Sequence, residues 1–356
     1  MENNVMYSAL KSVLFNFDPE TAHKIGYFGM KMWDMLPGVG SLVAKNFTYS
    51  DVILEQNLFG LKFRNPIGIA GGFDKDATMI LPLFELGFGH LEYGTVTPKP
   101  QPGNPKPRIF RLIEDKSIQN SMGFNSKGMN VVLNNVKKVY PFRIPLIANI
   151  GKNKVTPNDE ALKDYEVLIE NFNEYCDLFA INISSPNTPN LRDLQNENFI
   201  KELFCMAKEK TKKPIFIKIA PDMDIKDAIN LCVSSVQNGA NGIIINNTSV
   251  DYSLSPNIKQ QKGGISGQLI TEKSRNFFAQ IAKEIYGKTT LISCGGIDSA
   301  KEAYKRIRLG ANFIQIFTAF IYVGPILCKK INSELAELLR KDGFKNISEA
   351  VGADLK

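Results

Sequence analysis

The sequence predicts an α/β protein: a (β/α)8 TIM barrel with an N-terminal helical extension. Three observations carry that prediction. Eight short apolar runs recur from about residue 60 onward, and segments with helical spacing lie between them. The runs are apolar on both faces, as strands of a parallel sheet wrapped by helices must be. Nearly every run also ends in glycines, amides, hydroxyls or a lysine, and a barrel collects such strand ends at one catalytic face. An open doubly wound sheet would instead place one glycine-rich turn after its first strand.

Residues 1–47 stand apart. Two apolar segments, about 5–15 and 20–36, flank DPET. Asp18 suits an N-cap and Pro19 the first helical position. Apolar residues at 22, 25, 28, 32, 33 and 36 fall near one face, which predicts a helical hairpin set before the barrel. It is either a cap packed on the barrel or an amphipathic anchor with an apolar ligand channel. Charge does not choose, because lysines 11, 24, 31 and 45 balance Glu2, Asp18, Glu20 and Asp34. The barrel unit then spans 48–356. Its runs are 61–70, 88–96, 144–150, 177–183, 214–220, 241–247, 289–294 and 312–317. Leu81, Phe84 and Leu86 follow the first run. Leu162, Tyr165, Leu168, Ile169 and Phe172 follow the third, and Ala228, Ile229, Leu231, Val233 and Val236 the fifth.

Composition narrows the chemistry. The chain has 356 residues, 44% hydrophobic and 22% charged, with a net charge of +7. That suits a globular protein and fits anionic ligands, nucleic acid or a lipid surface alike. Cysteines 176, 205, 232, 294 and 328 are scattered without a C-x-x-C pair, and His23 and His90 are the only histidines. The thiols read as buried and reduced; no metal site or histidine triad is expected. No apolar run reaches the roughly 18 residues of a membrane span, and the N-terminus does not look like a signal peptide.

The strand ends suggest a pocket. GGFDKD (71–76) brings glycines, which let backbone approach a ligand closely, and Lys75, which suits an anion. NSMGFNS (120–126) lies in a long excursion of the kind that is usually functional. Asn149, Asn182, Lys218 and Asn247 end the third to sixth strands and should converge. With no carboxylate pair among them, they suit a planar heterocycle bearing C=O and N–H groups. They do not suit a glycosidase or a divalent metal. GGISGQ (263–268), CGGIDS (294–299) and IFTAF (316–320) offer backbone N–H groups to a phosphate after strands seven and eight. The fourth run breaks off in AINISSPNTPN, where two prolines exclude both strand and helix. Asn182 and Asn247 also match the glycosylation sequon, but both sit at predicted buried strand ends.

These stretches, taken in order, resemble dihydroorotate dehydrogenase, in its class 2, quinone-dependent branch. The resemblance runs through essentially the whole chain. It includes FRNPIGIAGGFDKD (63–76), EYGTVTPKPQPGNPKPRIFRL (92–112), MGFN (122–125), NIGKN (149–153), NISSPNTPNLRDLQ (182–195), KIAPD (218–222), NNT (246–248), GGISG (263–267) and GGIDS (295–299). It implies oxidation of (S)-dihydroorotate to orotate in pyrimidine biosynthesis, with one non-covalent FMN per chain. It implies FMN contacts from Gly71, Gly72, Phe73, Asp74, Lys75, Thr95, Asn149, Asn182, Lys218, Asn246, Gly267, Gly296, Phe317 and Thr318. It implies substrate contacts from Lys75, Asn120, Ser121, Met122, Gly123, Phe124, Asn182, Asn187, Asn247 and Thr248. Ser185 stands at the family's catalytic base, taking a proton from C5 while hydride passes from C6 to flavin N5. A hydroxyl is a poor base, so its proton needs a relay, and Thr188 is the nearby candidate.

Serine rather than cysteine at 185, together with the N-terminal helices, points to the quinone branch. In that branch the helices form the mouth of an apolar tunnel and rest on a membrane. The expectation is therefore a peripheral protein at the cytoplasmic face of a bacterial membrane, using membrane quinone, without nucleic acid and needing no partner subunit. Lys99, Lys106, Arg108 and Arg111, unaccompanied by acids within 97–111, are expected to face anionic headgroups. Two departures from the family's usual residues stand out: Phe317 for tyrosine and Asn246 for threonine. Ser121 holds a variable place. A flavin barrel acting on tRNA uridine is the other enzyme reading, and it lacks an RNA-binding helical domain here.

Overall fold

The computed structural model describes residues 2–356. Three helices lead: α1 (Glu2–Leu14), α2 (Pro19–Met35) and α3 (Val39–Phe47). The predicted cap is present, with the Asp18 carboxylate accepting from the N–H groups of Glu20 and Thr21. The hairpin needs correcting. A third helix follows α2, and α1 packs on residues 318–323 while α2 packs on α3, on 80–85 and on 109–112. Among the described residues no helix is long and apolar enough to cross a membrane.

The first apolar run is also corrected, because Asn65-Pro66 divides it. β1 (Gln56–Leu58) and β2 (Leu61–Phe63) form a small antiparallel pair, and β3 (Ile67–Asp74) starts the barrel and runs on through GGFD. α4 (Ile80–Glu85) leads to β4 (His90–Val96). The long excursion then folds as a hairpin of β5 (Ile109–Leu112) and β6 (Ser117–Asn120), followed by α5 (Met129–Val136). The remaining units alternate as predicted. They are β7 (Leu146–Ile150), α6 (Ala161–Phe172), β8 (Leu178–Asn182), α7 (Glu197–Lys210), β9 (Ile215–Ile219), α8 (Ile225–Gln237) and β10 (Gly242–Ile245). β11 (Gly264–Gly267) intervenes, then α9 (Thr271–Ile285), β12 (Thr290–Cys294), α10 (Ala300–Arg308), β13 (Phe313–Ile316), α11 (Thr318–Val323), α12 (Leu327–Lys341) and α13 (Ile347–Ala350).

β3, β4, β7, β8, β9, β10, β12 and β13 close a parallel barrel in that order, and β13 pairs back to β3. β11 leaves the barrel and pairs antiparallel to β6, Gly264 opposite Asn120. A three-stranded sheet thus joins two loops that the chain separates widely.

Inside the barrel the lower layer is apolar. Phe63, Ile147, Leu178, Phe216, Ile244, Ile292 and Phe313 are all buried there. Losing one such aromatic ring costs about 3–5 kcal/mol in most cores. His90 sits among them, its ring edge-on to Phe63 and Phe313. It occupies the space that a Cβ at Gly68 would need.

The basic stretch 97–111 grips the N-terminal helices. Arg108 is buried and donates to Glu20 of α2 at 2.6 Å and to the carbonyls of Pro102 and Asn104. Lys106 meets the same Glu20 at 2.6 Å. Arg111 lies over the Phe15 ring and donates to the carbonyls of Phe15 and Phe17. The expectation that these residues face lipid is corrected: of the four, only the Lys99 side chain is exposed without an ion pair.

Candidate active site

The pocket floor is an ionic layer one step above the apolar one. β4 alternates inward at His90 and Glu92, and Glu92 is fully buried. Its carboxylate accepts from Lys218 Nζ at 3.1 Å, from Gln315 Nε2 at 2.6 Å and from Asn149 Nδ2. These donors come from β9, β13 and β7, so three strands fix one carboxylate. Burial opposes the Lys218 charge, but Glu92 outweighs it and holds the ammonium above its ordinary pKa.

Above the floor, β8 ends at Asn182, whose amide donates to Thr95 Oγ1 at 3.1 Å and to Asn149 Oδ1 at 3.4 Å. Asn182 Oδ1 accepts from the N–H and hydroxyl of Ser184, and Asn247 Nδ2 donates to Ser184 Oγ at 2.9 Å. Ser185 is 6% exposed, and its Oγ accepts from the Asn187 N–H at 3.2 Å. The Thr188 hydroxyl is buried without a partner among the described residues, and no hydrogen bond joins it to Ser185. Arg192 holds the loop from behind. Its guanidinium donates to Ser184 O, Thr248 O and the Asp222 carboxylate.

The substrate-loop residues meet this loop. Asn187 Nδ2 donates to Asn120 Oδ1 at 3.3 Å, and Asn104 Nδ2 bridges Ser121 O and Asn187 O. Gln101 Nε2 holds Phe124 O at 2.8 Å, and Phe124 adopts φ of 51°. A side chain at Gly123 would strike Asn104. Met122 O accepts from the Asn104 N–H at 3.0 Å. Thr248 Oγ1 lies where a Cβ at Gly264 would stand, so the β11 glycine makes room for it.

On the other side, Lys75 Nζ donates to Gly72 O at 2.9 Å, and burial followed by the Arg108 charge brings its pKa down to about 8. Gly72 has φ of 94°, and a Cβ there would find only Phe317 and Lys75 Nζ, near 4 Å. The Phe73 ring packs edge-on against Phe317, Phe320 and His23 of α2. Enclosure by protein, ahead of the Lys75 charge, pulls His23 down to about 4. Its side chain is nonetheless exposed. Asp74 differs from expectation: its carboxylate caps the N–H groups of Thr78 and Met79. Burial raises that carboxyl to about 6.

The glycine loops expected to take a phosphate are braced by Arg306, which is fully buried and pairs with Glu302 at 2.7 Å. It also donates to Gly295 O, Thr271 O, Ser274 Oγ and Ser293 Oγ. Gly296 presses on Thr271 too closely for any Cβ. Thr318 Oγ1 donates to Ser266 Oγ at 2.8 Å, and Gly267 rests on Ser117 with φ of 104°. Asn246 donates to Ser274 O at 3.4 Å.

The sequence-predicted residues therefore gather at one barrel mouth. The buried Asn187 Oδ1, Asn246 Oδ1, Thr188 Oγ1 and Thr248 Oγ1 lack partners among the described residues. Such atoms need a ligand or water. Together with the glycine-lined gap over Lys75 and Phe317, this donor set fits a flavin and a small anionic heterocycle. Sequence reasoning missed Glu92, Gln315, Asn104, Arg192 and Arg306. Gln315 did leave a signal, as the one polar residue of β13, whereas Glu92 shares β4 with His90 and Thr95.

The chain matches the Dihydroorotate dehydrogenase family profile over residues 53–339. It is 55% identical to a protein of Sulfurovum sp. (strain NBC37-1) described as dihydroorotate dehydrogenase (quinone), across 98% of this chain and 99% of the relative. A protein of a Nitratiruptor species with the same description is 54% identical over the same shares. The crystal structure of the Eimeria tenella enzyme DHODH in complex with ferulenol superposes with a TM-score of 0.84 at 32% identity, covering 96% of this chain and 98% of that one. The chain belongs to the dihydroorotate dehydrogenase family.

Proposed function

We propose that this member of the family oxidises (S)-dihydroorotate to orotate in pyrimidine biosynthesis and passes the electrons to a membrane quinone. The observation that carries the reading is the Ser185 loop. The buried Ser185 hydroxyl accepts from the Asn187 N–H, its neighbour Ser184 is held by Asn182 and Asn247, and Asn187 and Thr248 keep unsatisfied polar atoms. FMN, when bound, supplies the hydride acceptor. Gly71, Gly72, Phe73, Lys75, Thr95, Asn149, Lys218, Asn246, Gly267, Gly296, Phe317 and Thr318 would hold it. The Asp74 carboxylate is engaged elsewhere, so its contact would come from the backbone.

Lys75 binds the substrate anion, and Asn120, Asn187, Asn247 and Thr248 orient the ring. Ser185 Oγ takes the C5 proton. Its own proton must leave through a relay, and the unpartnered Thr188 hydroxyl is the nearby candidate to receive it. Lys218 sits under the pocket as a fixed positive charge.

The N-terminal helices serve the second half-reaction. Leu10, Val13, Ile25, Phe28, Met32, Met35, Leu36 and Leu42 leave large apolar surface exposed on residues 1–47. That surface supports peripheral contact with a membrane, on its cytoplasmic face. His23 and Phe317, which both pack on Phe73, mark the route by which a quinone would arrive.

The test is Ser185→Ala. Flavin reduction by dihydroorotate should slow by roughly 10²–10⁴-fold, the usual contribution of a general base, with FMN still bound. Near-normal reduction would sink the base assignment. A wild-type protein whose flavin is not bleached by dihydroorotate would sink the function itself.

A further inference from the structure

One fully buried carboxylate, Glu92, sits under the pocket without reaching into it. Glu92 touches none of the groups assigned to substrate alone, yet three strands converge on its carboxylate. Burying a carboxylate and an ammonium is expensive, and replacing such a pair by apolar side chains is often neutral or favourable. Stability is therefore a poor reason for placing it here. The local construction is also specific. A Cβ at Gly71 would collide with Glu92 Oε1 and with Asn149 Nδ2, so the β3 glycine makes room for this cluster. Gln315 turns its amide nitrogen to Glu92 and leaves Oε1 without a partner among the described residues. The amide is oriented for the carboxylate, at the expense of its own oxygen.

We propose that Glu92 is a positioning residue that holds Lys218 at the pocket floor as a charged ammonium, and thereby sets the reduction potential of the bound flavin. The proposal rests on the flavin reading above. Lys218 is 5% exposed, and among the described residues Glu92 is the one acid paired with it. A buried lysine without an acid partner tends to shed its proton. Without Glu92 the floor would therefore lose its positive charge. The electron-rich reduced flavin would lose the stabilisation that charge gives.

The experiment is a redox titration of FMN-loaded protein against a reference dye. Glu92→Gln should disfavour the reduced flavin at least tenfold, a potential about 30 mV more negative for a two-electron couple. Glu92→Asp, which keeps the charge, should return it to within about threefold of wild type. Lys218→Met should lower the potential in the same direction, and adding Glu92→Gln to it should change nothing more. A merely structural Glu92 would lower the melting temperature and leave the potential where it was.

Should Glu92→Gln fail to fold, Lys218→Met reads the pair from its other side. Glu92 should then take up a proton, seen as a protonated-carboxyl band in the infrared spectrum. Absence of that band overturns the proposal. Wild-type protein that takes FMN, with an unchanged or more positive potential in Glu92→Gln, overturns it alone. Wild-type protein that refuses FMN overturns the flavin reading with it.

Discussion

Replacing Arg306 by methionine removes the brace of the glycine loop while keeping much of the side-chain volume. Arg306 is fully buried and serves five acceptors on α9, α10, β12 and the glycine loop after β12. Breaking a buried ion pair typically costs about 3–5 kcal/mol. The lower end applies here for two reasons visible in the structure. Glu302 keeps Arg275 at 2.6 Å, so its carboxylate is not left bare. Gly295 O and Thr271 O still share the Ser274 hydroxyl, at 2.8 and 3.1 Å. At about 2 °C per kcal/mol for a large chain, the melting temperature should fall by roughly 6 °C. Gly295 and Gly296 would lose their fixed position, so FMN should bind at least tenfold more weakly by fluorescence titration. A fall below about 2 °C, or an unchanged FMN dissociation constant, refutes the view that Arg306 organises this loop.

Glu20→Ala should release Arg108 and Lys106 together, at about 1.5–3 kcal/mol for the charged hydrogen bonds lost. Quinone reduction should then fall more than flavin reduction, measured as separate half-reactions; equal loss would make α2 a plain cap. Lys75, with its pKa near 8, is protonated below that value. Orotate affinity should hold up to about pH 8 and then fall by up to tenfold per unit, as equilibrium titration would show. The same depressed pKa makes the unliganded protein gain stability as pH rises from about 8 toward the unfolded lysine's value near 10.4. Phe28→Glu with Leu42→Glu should abolish vesicle co-sedimentation and leave flavin reduction by dihydroorotate intact; unchanged sedimentation would remove these helices as the docking face.

Much of this molecule is legible in its sequence because parallel strands must be apolar on both faces. That rule exposes all eight barrel strands, and the polar strand ends expose the mouth. What escaped is tertiary. Pro66 in FRNP does signal a break, but not that the residues before it pair as a separate antiparallel hairpin. The β5–β6 hairpin is short and finds its third strand, β11, some 140 residues later. The basic stretch 97–111 looked free because its acid, Glu20, is 88 residues away from Arg108. Glu92 and Gln315 stand 223 residues apart, and only barrel closure brings them together. Asp74 lies in a ligand-rich stretch but serves the start of α4.

The aromatic layer beneath the ionic floor has a kinetic consequence. Phe63, Phe216 and Phe313 stop the barrel from below, and His90 fills the notch at Gly68. The barrel is thus a blind well with traffic on one side only. Two reactants of opposite character, a hydrophilic anion and a greasy oxidant, must both be served from the same rim. They can share it in either of two ways: by taking turns, or by approaching from different quarters, one past the Asn120 and Asn187 loops and the other beneath α2. In either case both must pass over the rim, since the floor offers no second door.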